Sequence, residues 1–358
     1  MSASAASTPE PLPSKTPVTI VTGFLGSGKT TLVNRALRDP SLRRAAVIVN
    51  EFGEIGLDHE LIETSNDMVV LLPNGCLCCA VRSDLVATLG DLQKRRARGT
   101  IPAFDHVLLE TSGLAEPAPV LEVLASEVSV KAYYAPSGVV TTVDALNGTA
   151  TLETHIASLK QVALADRIVI TKTDLLRGDH THLPILLGNL RALNPFAEIV
   201  DARTLDPGET LRISFGPVDE LHRRAAPPVG YWPVIPQSVD QHNGRIHRFS
   251  LIRDYPWPRR TLELFLAALR ENAGPALLRV KGIINVAETP ENPVVVHGVQ
   301  TLLHNAVQLP RWPSKDRRTR IVFITIDFPE EEIRALMEGV ERLCNGAARA
   351  GRRAPHSI

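Results

Sequence analysis

The run Val18-Thr19-Ile20-Val21-Thr22-Gly23-Phe24-Leu25-Gly26-Ser27-Gly28-Lys29-Thr30-Thr31 constrains this chain more than any other stretch. Its first half is β-branched and apolar, the pattern of a buried strand. Gly23 is followed after four residues by Gly28-Lys29-Thr30, and the spacing of Leu32, Val33, Ala36 and Leu37 predicts a helix to Arg38. Strand, glycine turn and helix are the order needed for backbone N–H groups to wrap a polyphosphate at a helix N-terminus, where the dipole favours anions. Gly23, Gly26, Ser27, Gly28, Lys29, Thr30 and Thr31 therefore form the candidate nucleotide cradle. In such a loop Lys29 reaches the β- and γ-phosphates and Thr30 offers its hydroxyl to Mg2+.

Beyond this loop, apolar strands alternate with helical segments. Strands are expected at Ala45–Val49, Met68–Leu72, His106–Leu109, Val139–Val143, Ile168–Ile170 and Glu198–Val200. Helices are expected from a Ser83 cap to Arg98, at Glu153–Leu164 and at His182–Leu193. The alternation implies an α/β fold with a doubly wound, mostly parallel sheet, whose ligand loops lie at the carboxyl ends of the strands. A Pro-, Gly- and Arg-rich stretch at 205–244 reads as a linker. Strand-like runs then begin at Ile246, Val280, Val294 and Arg320, with helices at Arg259–Glu271 and Glu330–Leu343, so a smaller C-terminal α+β domain is expected at 245–344. The nucleotide-binding domain is assigned to 17–204, with disordered tails at 1–16 and 345–358.

Four further loops carry chemistry. Glu110 ends an apolar strand, where a carboxylate can hold Mg2+ or position the attacking water, and Gly113 lets a backbone N–H approach the γ-phosphate. Lys172-Thr173-Asp174 is half of a guanine-reading signature: Asp174 can accept from guanine N1–H and its exocyclic amine, while the Lys172 stem lies along the base. The position usually held by Asn is Thr171, so GTP is favoured over ATP without being fixed. Cys76, Cys78 and Cys79 place three thiols within four residues, enough to give one soft ion two or three thiolates. Zn2+ suits such ligands with one position left open; Cu(I), Co2+ and Ni2+ are chemically compatible. Small buried hydrophobes and a redox pair are the competing readings of the same cysteines. Glu51 and Glu54 follow the second strand and can touch Mg2+, orient water or donate to the second metal.

Composition narrows the field. The 358 residues carry a formal net charge of +0, so no overall field points to nucleic acid or an anionic membrane. No apolar run is long enough to span a bilayer, and four cysteines, three of them crowded, are not a disulfide framework. A cytoplasmic protein is expected. The basic run Arg311–Arg320 with Trp312 reads as a loop flanking a strand, and the paired histidines as solvated side chains.

Taken together, these motifs resemble the CobW-type metallochaperone GTPases. The resemblance rests on Gly23–Thr31, Asn50-Glu51-Phe52-Gly53-Glu54, Asn74-Gly75-Cys76-Leu77-Cys78-Cys79, Glu110-Thr111-Ser112-Gly113 and Thr171-Lys172-Thr173-Asp174. It extends to Leu278-Arg279-Val280-Lys281-Gly282 and to 294–300 in the second domain. It implies GTP hydrolysis with Lys29, Glu110 and Glu51 as catalytic residues. It further implies Zn2+ or a related ion on the three cysteines and delivery to a client metalloprotein. Many members carry a His-rich linker tract, which this chain lacks. Self-association stays open. A nucleotide-dependent assembly or regulatory protein with structural or redox cysteines is the alternative, and a kinase lacks any evident acceptor pocket.

Overall fold

The computed structural model describes residues 15–39, 42, 44–49, 69–71, 80–176, 182–204, 245–303 and 306–351. The first half comprises β1 (Thr16–Gly23), α1 (Lys29–Leu37), β2 (Ala45–Val49), β3 (Val69–Leu71), α2 (Ala80–Ala97) and β4 (His106–Glu110). It continues through α3 (Ala118–Ser126), α4 (Val128–Lys131), β5 (Tyr134–Asp144), α5 (Gly148–Thr154), α6 (Ile156–Leu164), β6 (Arg167–Thr171), α7 (His182–Leu193) and β7 (Glu198–Asp201). The seven strands form one sheet in the order β3-β2-β4-β1-β5-β6-β7, and every pairing is parallel.

Strands buried on both faces explain why β2, β4 and β6 read as unbroken apolar runs. On one face Val18, Ile20, Ile48 and Leu109 pack against Leu85, Leu89 and Leu92 of α2 and Leu121 and Leu124 of α3. On the other, Val21, Val47 and Leu108 meet Leu32, Val33 and Ala36 of α1. This two-sided burial leaves the strand ends for polar groups. Register sets Val49 of β2 beside Glu110 of β4, and Leu71 of β3 beside Val49.

The second half adds β8 (Ile246–Arg253), α8 (Arg259–Asn272), β9 (Leu277–Ile284), β10 (Val294–Val299), β11 (Leu302–Leu303), β12 (Val307–Gln308), β13 (Thr319–Ile326) and α9 (Glu330–Gly351). These strands make an antiparallel sheet in the order β11-β10-β9-β13-β8, with β12 paired to β10. One face packs under α8 and α9 around Trp257, Phe265 and Phe323. The other presents Ile246, Leu278, Ile324 and Ile326 to Leu159, Leu186 and Leu190 of the first half.

Several element boundaries differ from expectation. β5 starts at Tyr134 rather than Val139, because a register shift opposite Val18/Thr19 leaves Ser137 as an extra residue and lets the strand run through Pro136 and Gly138. The helix expected at Glu153–Leu164 is two helices, broken at His155, whose extended backbone carries its ring onto Phe24 at a centroid distance of 4.4 Å. α2 starts at Ala80, which puts Ser83 inside its first turn instead of at its cap. Thr16 and the residues to Gly351 belong to regular elements, so β1 begins within the expected leading tail and α9 outruns Leu343. Ala347, Ala348 and Ala350 are strong helix formers and favour this continuation.

Candidate functional site

The carboxyl ends of β1, β4, β5 and β6 converge beneath the glycine loop. Gly23 has φ +143°, and an added Cβ would lie 2.3 Å from Thr142 Oγ1 and 2.6 Å from Ser27 Oγ, so only glycine fits. Gly28, at φ +92°, turns the chain into α1. Lys29 Nζ donates back to Phe24 O at 3.3 Å, which spans the loop from its end to its beginning.

A layer of buried hydroxyls supports this loop. Ser27 Oγ and Thr142 Oγ1 lie 2.6 Å apart, Thr111 Oγ1 donates to Thr22 Oγ1 at 2.8 Å, and Thr142 Oγ1 reaches Thr22 O at 3.3 Å. Thr171 Oγ1 donates to Ser27 O at 2.7 Å. The residue at the expected Asn position therefore braces the phosphate loop through its hydroxyl. Thr22, Thr142 and Thr111 were not singled out from the sequence. Their signal is that each closes, follows or nearly closes a strand.

At the cation side, Thr30 Oγ1 donates to Glu110 Oε1 at 2.7 Å, and Glu110 is 3% exposed. A hydroxyl and a buried carboxylate converging from the helix start and the neighbouring strand match the hard oxygen donors that Mg2+ selects. The donor set fits the ion. Gly113 presses against the cradle: a Cβ there would stand 2.7 Å from Leu25 N. Beside the loop, a cavity of about 210 Å3 is lined by Gly28, Thr31, Arg35, Thr171, Lys172, Asp174 and Arg203, among others.

Lys172 occupies the left-handed region at φ 58°, an unfavourable backbone for a non-glycine residue. Its Nζ pairs with Asp144 Oδ2 at 2.8 Å, which ties its side chain to the end of β5. Burial would raise the Asp144 pKa. Hydrogen bonds from Lys172, the Leu146 N–H and Asn147 nevertheless hold the carboxyl below its usual range. Asp144, absent from the sequence reading, thus fixes the lysine that borders this cavity.

The cradle residues, Glu110, Gly113, Lys172 and Asp174 are described and lie at one edge of the sheet. Glu51, Glu54, Cys76, Cys78 and Cys79 lie outside the described residues. So do the linker and the basic segment beyond Gly351. No helix among the described residues is long and apolar enough to cross a membrane.

Residues 17–201 match the family model of the CobW/HypB/UreG nucleotide-binding domain, and residues 246–341 that of the cobalamin synthesis protein CobW C-terminal domain. The chain is 31% identical over 325 residues to the zinc chaperone YjiA of Escherichia coli (strain K12), covering 91% of this chain and 98% of that protein. It is 32% identical over 193 residues to the zinc-regulated GTPase metalloprotein activator 1 of Schizosaccharomyces pombe, covering 52% of this chain and 45% of that one. A crystal structure of a zinc-bound triple mutant of the YjiA GTPase superposes with a TM-score of 0.67 at 26% identity, covering 91% of this chain and 99% of that chain.

Proposed function

Because this chain belongs to the CobW/HypB/UreG family, with a CobW C-terminal domain behind its nucleotide-binding domain, we propose that it is a GTP-hydrolysing metallochaperone. Its cargo is Zn2+, or a related ion such as Co2+ or Ni2+, and its partner is a client metalloprotein. The names of its relatives, a zinc chaperone and a zinc-regulated GTPase activator, support this reading. Domains at 17–204 and 245–344, joined by 205–244, divide the work between nucleotide and client. A cytoplasmic site of action keeps the thiols reduced.

One observation carries the proposal. Thr30 and Glu110 meet at 2.7 Å at the sheet edge where β2 and β3 also end. Leu71 is two strand spacings from Glu110, about 10 Å. Cys76, Cys78 and Cys79 follow Leu71 closely in sequence, and Glu51 and Glu54 follow Val49. The segments expected to bind the cargo ion therefore start beside the residues expected to sense the nucleotide.

In hydrolysis, water attacks the γ-phosphorus while the bond to the β–γ bridging oxygen breaks, releasing GDP and phosphate. Lys29 neutralises charge on the β- and γ-oxygens, and the cradle N–H groups hold them in place. Glu110 and Glu51 orient the water, and Gly113 lets its N–H approach the γ-phosphate. Thr30 and Glu110 would hold Mg2+, which when bound supplies further charge neutralisation on the phosphates. Asp174 selects guanine. Loss of the γ-phosphate releases the loop that begins at Asn50, and with it the cysteine turn.

Phosphate release from GTP and ATP, with and without Zn2+, tests the activity. GTP should be preferred, and Lys29→Ala should lower the rate by about 100-fold or more while leaving Zn2+ binding intact. Zn2+ titration in a non-hydrolysable GTP analogue and then in GDP tests the gating. Equal Zn2+ and equal client affinities in both states would remove it, because a ligand with no differential affinity shifts nothing.

A further inference from the structure

We infer that Gln161 positions the 113–116 loop against the nucleotide cradle, and that Arg279 of the second sheet holds the helix from which it does so. The inference deepens the GTPase reading above and rests on it. Gln161 lies on α6 and is fully buried. Its side-chain amide donates to Gly113 O at 3.1 Å and to Ala115 O at 3.0 Å. The preceding residue, Lys160, pairs with Glu116 Oε1 at 2.6 Å. Successive side chains of one helix thus grip the segment that follows Glu110, and that segment has no strand or helix of its own.

The other side of the same loop faces the cradle, where Gly113 leaves no room for a Cβ beside Leu25. A shift of Gln161 is therefore transmitted to the backbone that flanks the γ-phosphate site. Both N–H groups of the amide are committed to the loop, while its Oε1 is buried with no partner among the described residues. The loop carbonyls alone set the amide's orientation. Leucine, the ordinary choice at a fully buried helical position, would leave Gly113 O and Ala115 O without these donors.

What holds α6 comes from outside it. Asn194 donates to Val162 O, Ala163 O and Ala165 O, at 2.8, 3.2 and 2.8 Å. Arg279, on β9 and 1% exposed, donates to Leu164 O at 3.0 Å and to Ala165 O at 2.7 Å. A cation at the carbonyl end of a helix suits its dipole as well as its unpaired acceptors. The other arm of the guanidinium pairs with Asp166, whose Oδ2 accepts from the Val139 N–H at 3.0 Å. Burial alone would raise the Asp166 pKa, yet the charges of Arg279 and Lys281 hold the carboxyl below its usual range. The C-terminal sheet, α6 and the loop after Glu110 are thereby connected through hydrogen-bonded side chains. Seating of the second domain then sets how firmly the loop is held during hydrolysis.

Gln161→Glu, which keeps the shape and replaces two N–H donors by at most one O–H, and Arg279→Lys test this in the full chain. Readouts are kcat and KM for GTP, affinity for a non-hydrolysable GTP analogue, and amide exchange at Thr111–Glu116. Gln161→Glu should lower kcat about 10-fold or more with analogue affinity changed less than about 3-fold. Exchange at Gly113 and Ala115 should quicken about 10-fold. The effect of Arg279→Lys on kcat should vanish in the Gln161→Glu background, since the two act in series. Unchanged exchange in Gln161→Glu overturns the proposal, as does a loss of kcat matched by loss of analogue affinity. Additive effects in the double variant overturn the role of Arg279. If the wild-type chain releases no phosphate from GTP, the GTPase reading fails, and the exchange measurement alone still decides whether Gln161 holds the loop.

Discussion

In the parallel sheet buried hydroxyls and carboxylates gather at the carboxyl ends of β1, β4, β5 and β6, whereas in the antiparallel sheet two buried cations stand in mid-strand on one face. Thr22, Thr111, Thr142 and Thr171 cluster at the carboxyl edge and satisfy one another and the glycine loop. Arg279 and Lys281 sit within β9, facing the first domain. The difference follows from what covers each sheet. Helices on both faces of a parallel sheet keep charged groups out of the strand interior and leave the edge for a ligand. The antiparallel sheet has helices on one face only, and its other face is closed by a neighbouring domain whose helix ends offer carbonyls. Polar burial marks a ligand edge in one region and a docking face in the other.

Two substitutions on the docking face should move stability in opposite directions, and the larger is Arg279→Ala. It takes the guanidinium from Leu164 O and from the part-buried Asp166, and leaves Ala165 O only its Asn194 donor, so unfolding free energy should drop by about 3–5 kcal/mol. Chemical denaturation, followed on each half separately, measures it. Lys281 differs because its ammonium lies over the Phe196 ring, 5.0 Å from the centroid. Burial, then the charge of Arg279, pushes its pKa down from 10.5 to about 7, with Asp166 opposing the fall. The unfolded chain binds this proton more readily. The cost of burying Lys281 is thus full below pH 7 and fades as pH rises from about 7 to 10.5. Lys281→Met should therefore stabilise the protein at pH 6, by about 2 kcal/mol after loss of the ring contact. A destabilised Lys281→Met would mean that the two cations serve the docking face alike.

The opposite edge of the parallel sheet also buries a polar group. His106 starts β4, far along the strand from Glu110, and its Nε2 lies 2.9 Å from Thr19 Oγ1. Burial lowers its pKa from 6.5 to about 4, despite the opposing charge of Asp105. As pH falls below 6.5 the unfolded chain takes up a proton that the folded chain refuses until about pH 4. Stability should fall by about 2 kcal/mol between pH 6.5 and 5 through this group. His106→Gln, which can keep the Thr19 bond without titrating, should remove that part of the acid sensitivity while leaving nucleotide affinity unchanged.

Legibility in the sequence tracked how local each feature is. The glycine loop, the apolar strands and Glu110 are read from neighbouring residues, and the structure has them in the expected elements. Thr171 looked like a defect in a guanine-reading motif because its partner, Ser27 O, lies in another strand's loop. Asp144 and Gln161 join the site only through the order β4-β1-β5-β6, which strand patterns do not specify. The helix at Ala118–Ser126 was hidden by Pro117 and Pro119, although proline is tolerated in a first turn. Arg279 was legible as part of a family run, but its hold on α6 needed two domains in contact. Glu51, Glu54 and the three cysteines stand as sequence readings, outside the described residues.

The smallest expected effect probes the hydroxyl layer itself. Thr171→Val keeps the volume and the β-branch but leaves Ser27 O without its 2.7 Å donor. Global stability should fall by only about 1 kcal/mol, the net worth of one buried hydrogen bond. Nucleotide affinity should fall by a comparable factor, about 5-fold, because the lost bond restrains the cradle and not the sheet. Thr142→Val offers the matching change one strand over, where Ser27 Oγ and Thr22 O lose their shared partner. If the edge is built for a ligand, both variants should lose affinity while their melting temperatures hardly move. Equal losses of stability with unchanged affinity would show that these threonines merely pack the sheet, and the contrast between edge and face would lose its functional meaning.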